Sequence, residues 1–168
     1  MTLPELNEIT SAERKAALST CCDSSAWVAE MDKIFPVEST NTLFEQAEVI
    51  WFACSEYDWR EAFSHHPKIG DVDSLRVKFA NTRSWASGEQ AGVSAASEDV
   101  LEQLADGNRQ YEEKFGYIFI VCATGKSAEE MLAILRSRLP NRPEDEILLA
   151  AQEQDKITRI RLKKLLQL

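Results

Sequence analysis

Two histidines stand side by side at His65 and His66, the only two in the 168 residues of the chain, and a proline follows them. Imidazole is the side chain whose ordinary pKa lies nearest neutrality, so this pair is the first place to look for proton transfer. The preceding residues separate the two rings. Trp59, Ala62, Phe63 and His66 keep the i, i+3, i+4, i+7 spacing of one helical face. His66 therefore continues an apolar stripe, and His65 points elsewhere. Pro67 disfavours helical dihedrals at the residue before it, so the helix should end near His66. The expected result is an imidazole at a helix C-terminus, beside apolar surface, at the lip of a turn containing Gly70. Its chemistry would be general acid–base work; the alternative is a core histidine satisfied by a backbone carbonyl.

A cation near the C-terminus is the second such group. At about 100° per residue, Ile147, Ala151, Ile157, Leu165 and Leu168 share one side of a helix. Arg161, four residues from Ile157 and four from Leu165, lies on that side, whereas Arg159 falls with Lys156 and Lys163 on the polar face. A guanidinium cannot shed its proton, so an arginine turned toward a core or pocket needs an anion. That anion is either an internal carboxylate or a carboxylate-bearing ligand, unless the side chain snorkels to the edge. Glu89 is the third group. It stands in Ala86-Ser87-Gly88-Glu89-Gln90 without a helical pattern to explain it. Periodicity alone leaves it either an exposed loop acid or a partner brought to His66 by tertiary structure.

Metal chemistry would draw on His65, His66, Asp71 and Asp73. Adjacent histidines converge poorly on one ion, and His-x-x-x-His or cysteine pairs are missing, though a two-His-one-carboxylate arrangement stays open. No Gly-x-Ser-x-Gly elbow, Cys–His signature or glycine-rich phosphate loop is present. Three readings therefore compete: acid–base enzyme, metal-dependent hydrolase using His66 with Asp71 or Asp73, and non-catalytic helical interaction domain.

Bulk properties narrow the partners. The formal charge is -9, from 28 acids against 19 bases, which argues against nucleic acid because phosphate binding needs a basic face. No apolar run approaches the roughly 18 residues of a membrane span. Met1-Thr2-Leu3-Pro4-Glu5 lacks the pattern of a signal peptide, and Leu165-Leu166-Gln167-Leu168 is not a Ser-Lys-Leu type address. Cys21, Cys22, Cys54 and Cys122 form no Cys-x-x-Cys pair. Reduced thiols packed as small hydrophobes in a reducing cytoplasm are expected.

The elements that must position these groups are helical. Thr10-Ser11-Ala12-Glu13 predicts a capping box before a helix to about Leu18. Ser24 or Ser25 opens a helix ending near Pro36. Thr42-Leu43-Phe44-Glu45 predicts another box, leading into the face Leu43, Ala47, Ile50, Trp51 and Cys54. Asp58-Trp59-Arg60-Glu61 opens the helix that ends at His66, and a further helix begins near Leu75. Ser84 to Gly92 reads as a loop. Ser97-Glu98-Asp99 starts a long helix to about Phe115, with Gly116 suited to its C-cap. Tyr117 to Cys122, an apolar run with no partner strand, reads as buried extended or helical chain. Ser127-Ala128-Glu129-Glu130 caps a helix to Leu139, and Pro143 stands at the first turn of the last helix. The expectation is one all-α domain over residues 1–168, a compact bundle of roughly eight to ten helices.

Taken in order, several blocks carry a family resemblance. They are His66-Pro67-Lys68-Ile69-Gly70-Asp71, then Gly88-Glu89-Gln90-Ala91-Gly92, then Asn108-Arg109-Gln110-Tyr111. Lys114-Phe115-Gly116-Tyr117-Ile118-Phe119-Ile120 follows, and then Lys156-Ile157 with Arg161-Leu162. Together they resemble the 2-oxo-4-hydroxy-4-carboxy-5-ureidoimidazoline (OHCU) decarboxylases of ureide and purine catabolism, over nearly the whole chain. Length matches the single-domain form, without a fused hydroxyisourate hydrolase domain. The resemblance implies an all-helical fold, usually a homodimer, using no cofactor and yielding (S)-allantoin. It places the catalytic histidine on His66 rather than His65, the catalytic glutamate on Glu89 and the substrate arginine on Arg161. It adds Pro67, the loop residues Ala86, Ser87, Gly88 and Gln90, and the segment Phe119, Ile120, Val121, Cys122 and Ala123 as pocket lining, the segment mainly through backbone groups. One position departs from the pattern: many members carry serine three residues before the glutamate, where this chain has Ala86, flanked by Ser84 and Ser87.

Overall fold

The computed structural model describes residues 1–68, 71–83 and 93–168. Among them are nine helices and no strand: α1 (Leu3–Glu8), α2 (Ser11–Ser19), α3 (Ser25–Lys33), α4 (Thr40–Ala53), α5 (Glu56–Ser64), α6 (Val72–Arg83), α7 (Val93–Phe115), α8 (Ala128–Arg138) and α9 (Pro143–Leu165). The all-α expectation holds. The chain divides into two compact units. The first comprises residues 1–66, 120–122 and 147–168, the second residues 67–119 and 123–146.

Caps set most boundaries. Thr10 with Glu13 and Ser127 with Glu130 form the expected capping boxes, and Ser24 is the cap of α3. Gly116, at φ 78°, closes α7 in the left-handed region that glycine tolerates. Two expected boundaries are corrected. α4 starts at Thr40, because the Ser39 hydroxyl accepts from the Thr42 N–H at 3.1 Å and caps the helix earlier than a box at Thr42 would. α7 starts at Val93 rather than Ser97, since two alanines carry the helix back past Ser97. α1 was not expected at all. Thr2 and Glu5 form its box, and the buried Arg14 closes its far end, donating to the carbonyls of Leu6, Asn7 and Ile9.

In the first unit α3 packs on α2, α4 and α5 around Leu18, Trp27, Met31, Leu43, Trp51 and Phe63, all buried. Three indoles pin the helices together. Trp27 Nε1 donates to the Ala47 carbonyl at 3.0 Å, Trp59 Nε1 to Trp51 at 2.9 Å and Trp51 Nε1 to Ala151 at 2.9 Å. A buried indole N–H needs such an acceptor, and each bond fixes a ring as well as a helix pair. In the second unit α7 packs on α6 and α8. The run after Gly116 is neither helix nor strand as far as Ala123. Tyr117, Ile120 and Cys122 in it are buried.

Candidate active site

α5 delivers the histidines. Ser55 and Asp58 form its capping box, and Glu61 ties it to α3 by accepting from the Ser25 N–H and hydroxyl at 2.9 and 2.6 Å. Trp59, Ala62 and Phe63 are buried, as their spacing predicts. The helix ends at Ser64 with His65 as C-cap, and the His66 N–H still reaches the Phe63 carbonyl at 3.2 Å. The two rings then part. His65 is exposed and hydrogen-bonds the Asp23 carboxylate through Nδ1. His66 is half-buried, and its Nε2 meets Gln154 Oε1 at 2.5 Å. No described residue hydrogen-bonds its Nδ1. The ring is therefore not satisfied by a backbone carbonyl.

Burial holds the His66 pKa below its ordinary value of 6.5, outweighing the Gln154 bond, which favours the charged ring; Arg161 and His65 push it further down. The neutral imidazole is favoured near neutrality, which suits a general base.

α9 supplies the facing groups, in a phase that differs from the expected one. Its buried stripe runs Ile147, Ala150, Ala151, Gln154, Thr158, Leu162 and Leu166. Ile157 and Leu165 are only half-buried, and Leu168 is exposed at 69%. The expected stripe counted apolar residues and passed over two polar ones at its centre. Gln154 and Thr158 lie seven and eleven residues after Ile147, on the same face, and both are buried. Arg161 flanks this stripe, half-buried. Its Nη1 makes one long bond, 3.4 Å to the Cys21 carbonyl, and no described carboxylate pairs with it. Arg159 is exposed as expected, with its guanidinium 4.9 Å from the centroid of the Phe44 ring.

The cysteines are free, and Cys21, Cys22 and Cys122 are buried. Burial pushes the Cys22 thiol up to about 12 and the Cys54 thiol to about 11. Neither is a ready thiolate nucleophile at neutral pH.

The remaining expected site residues divide. Pro67 is exposed beside His66. Ile120 and Cys122 are buried, and the Cys122 N–H donates to Glu153 Oε2 at 2.7 Å. Val121 and Ala123 are half-buried. Phe119 packs its ring on Tyr111, 5.1 Å between centroids, and beneath Arg138 at 4.7 Å. Glu89, with Ala86, Ser87, Gly88 and Gln90, lies outside the described residues, as do Ser84 and the Gly70 turn. The carboxylates of the metal alternative are otherwise engaged. Asp71 accepts from the Ser74 N–H at 2.7 Å, at the start of α6, and Asp73 pairs with Arg76 at 2.6 Å. Among the described residues no group of three or more His, Cys, Asp or Glu side chains is placed to hold an ion. None of the described helices is long and apolar enough to cross a membrane.

Fold and site together define an all-α protein with an imidazole held on one side by a buried amide and an arginine near it. A family model described as OHCU decarboxylase matches residues 7–163; the chain belongs to the OHCU decarboxylase family. It is 40% identical over 86% of its length to the uric acid degradation bifunctional protein TTL of Arabidopsis thaliana, of which it spans 45%, less than half. A crystal structure of OHCU decarboxylase in the presence of (S)-allantoin superposes with a TM-score of 0.69 at 36% identity, covering 89% of this chain and 96% of that one. A crystal structure of (S)-allantoin synthase shares the fold, with a TM-score of 0.71 at 22% identity over 98% of this chain and 53% of that one.

Proposed function

We propose that this chain decarboxylates OHCU to (S)-allantoin in urate degradation, with His66 as the principal acid–base. The observation that carries the reading is the state of His66 in a chain of this family. Its pKa is lowered chiefly by burial, one nitrogen is held by Gln154, and no described residue bonds the other. The substrate's carboxylate-bearing carbon neighbours a C=N bond. When the C–C bond breaks, its electron pair moves into that imine and CO2 leaves, so the substrate carries its own electron sink and the reaction needs no cofactor. His66 exchanges a proton with the substrate hydroxyl and ring. A proton delivered to one face of the resulting enamine sets the hand of the product. Arg161 holds an anionic or carbonyl group by paired hydrogen bonds, a role supported by its lack of a described carboxylate partner. Glu89 orients or protonates intermediates beside His66, and the 86–90 loop and the 119–123 segment line the pocket. The chain works as one domain and as a homodimer in the cytoplasm; free, buried thiols suit a reducing compartment.

Freshly generated OHCU, followed by circular dichroism with and without EDTA, tests the reaction. The expected result is accelerated appearance of (S)-allantoin, unchanged by the chelator. Decay no faster than the spontaneous rate, or activity lost to EDTA, overturns the proposal. Sedimentation at one chain mass under assay conditions overturns the dimer.

A further inference from the structure

The groups behind His66 form a directional chain. The Thr158 hydroxyl donates its single proton to the Gln154 main-chain carbonyl, one turn back, at 3.0 Å. Its oxygen is left as an acceptor, and Gln154 Nε2 donates to it at 3.2 Å. This sets the amide's orientation, with NH2 toward Thr158 and Oε1 toward His66. An amide oxygen only accepts, so the His66 nitrogen facing it at 2.5 Å must carry a hydrogen. Both groups are nearly devoid of solvent contact, at 1% and 4% exposure, so no water competes for the orientation.

We infer that Gln154, locked by Thr158, is a positioning residue that holds neutral His66 as the Nε2–H tautomer, leaving Nδ1 as the nitrogen that exchanges a proton with the substrate. The inference rests on the proposed acid–base role of His66 and specifies which ring atom performs it. A free imidazole samples both tautomers and rotates; a group that fixes the proton on one nitrogen and aims the other makes every neutral ring competent. The lock is local to the fold. Gln154 and Thr158 are one turn apart on α9, and α9 is bound to α4 through the Trp51–Ala151 bond. The sign of the hydrogen bonds carries the argument: an amide turned the other way would put a donor against Nε2 and move the proton to Nδ1.

Nitrogen-15 NMR of the full chain labelled at histidine reads the tautomer directly. With only two rings, His65→Ala assigns the spectrum. In the wild type at a pH where His66 is neutral, Nε2 should show the protonated and Nδ1 the unprotonated shift. Gln154→Leu should bring the two shifts toward each other as the ring averages over both forms. Its kcat should fall about tenfold or more, with KM within about twofold, since the substrate's own contacts are untouched. Gln154→Glu, which keeps an acceptor at that point, should restore the Nε2–H pattern. A wild-type ring protonated at Nδ1, or a Gln154→Leu protein with wild-type shifts and kcat, overturns the inference. These outcomes are separate from failure of the acid–base role, which is read from turnover of His66→Asn whatever the tautomer.

Discussion

Each unit of the molecule buries a polar cluster, and the two are built to different ends. In the second unit Glu146 has no solvent exposure. Its carboxylate accepts from the Tyr111 hydroxyl at 2.5 Å, Arg138 Nε at 2.7 Å and Asn141 Nδ2 at 2.9 Å. Arg138 Nη2 completes the ion pair at 2.5 Å. Burial raises the Tyr111 pKa, so its hydroxyl remains a donor. This is a saturated network: its acceptor oxygens face donors, and its cation lies over the Phe119 ring. In the first unit, Gln154 and Thr158 are buried and bonded to each other, but the chain ends on groups with capacity left over. His66 Nδ1 and most of the Arg161 fork have no described hydrogen-bond partner. A closed network reads as structure, and an open one beside apolar surface reads as chemistry.

Breaking the closed cluster should give the largest effect on stability. Glu146→Gln strands the Arg138 charge in the interior and should cost about 3–5 kcal/mol in urea unfolding. A loss below about 1 kcal/mol would remove the contrast between the clusters. Arg161→Lys should act on binding instead. Lysine keeps the charge but not the planar fork, so KM should rise about tenfold with stability nearly unchanged; the reverse pattern would make Arg161 structural.

The pH dependence sharpens the open cluster. The His66 pKa is lowered by burial first and by Arg161 and His65 in addition, against the Gln154 bond. The acidic limb of kcat/KM should therefore lie below 6.5. The unfolded ring binds its proton at higher pH than the folded one, so folding holds fewer protons between the two pKa values. The contribution of His66 to stability is full above 6.5 and is lost as pH falls through the lowered folded value. A limb above 6.5 would contradict a desolvated neutral ring. The smallest effect belongs to His65→Ala. Its ring is exposed and pairs with the half-exposed Asp23, so turnover should stay within about threefold and stability within about 1 kcal/mol. A collapse of turnover would move the chemistry to the wrong ring.

Much of this was legible in the chain itself. The α5 stripe from Trp59 to His66 follows from apolar period alone, and the proline set its end. The boxes at Thr10 and Ser127 needed only local side-chain-to-backbone bonds. What was missed depends on tertiary partners or on polar residues in apolar places. Gln154 and Thr158 sit on the core face of α9, but an apolar count steps over them. Glu146 looks like an ordinary first-turn acid at a helix N-terminus, and only the convergence of Tyr111, Arg138 and Asn141 makes it a core residue. Six-residue α1 is too short to stand alone; Arg14, from the next helix, completes it. Ser39 lacks the acid three residues on that marks a capping box, so local pattern places the start of α4 too late.

The most direct test of the account compares wild type and His66→Asn in one assay, with OHCU generated in the cuvette and the product's hand followed by circular dichroism. Far-UV spectra and melting establish that the variant is folded. His66→Asn should slow turnover about 100-fold or more, and allantoin should then form without a preferred hand, as in spontaneous decay. A folded His66→Asn protein that makes (S)-allantoin at near the wild-type rate would contradict it.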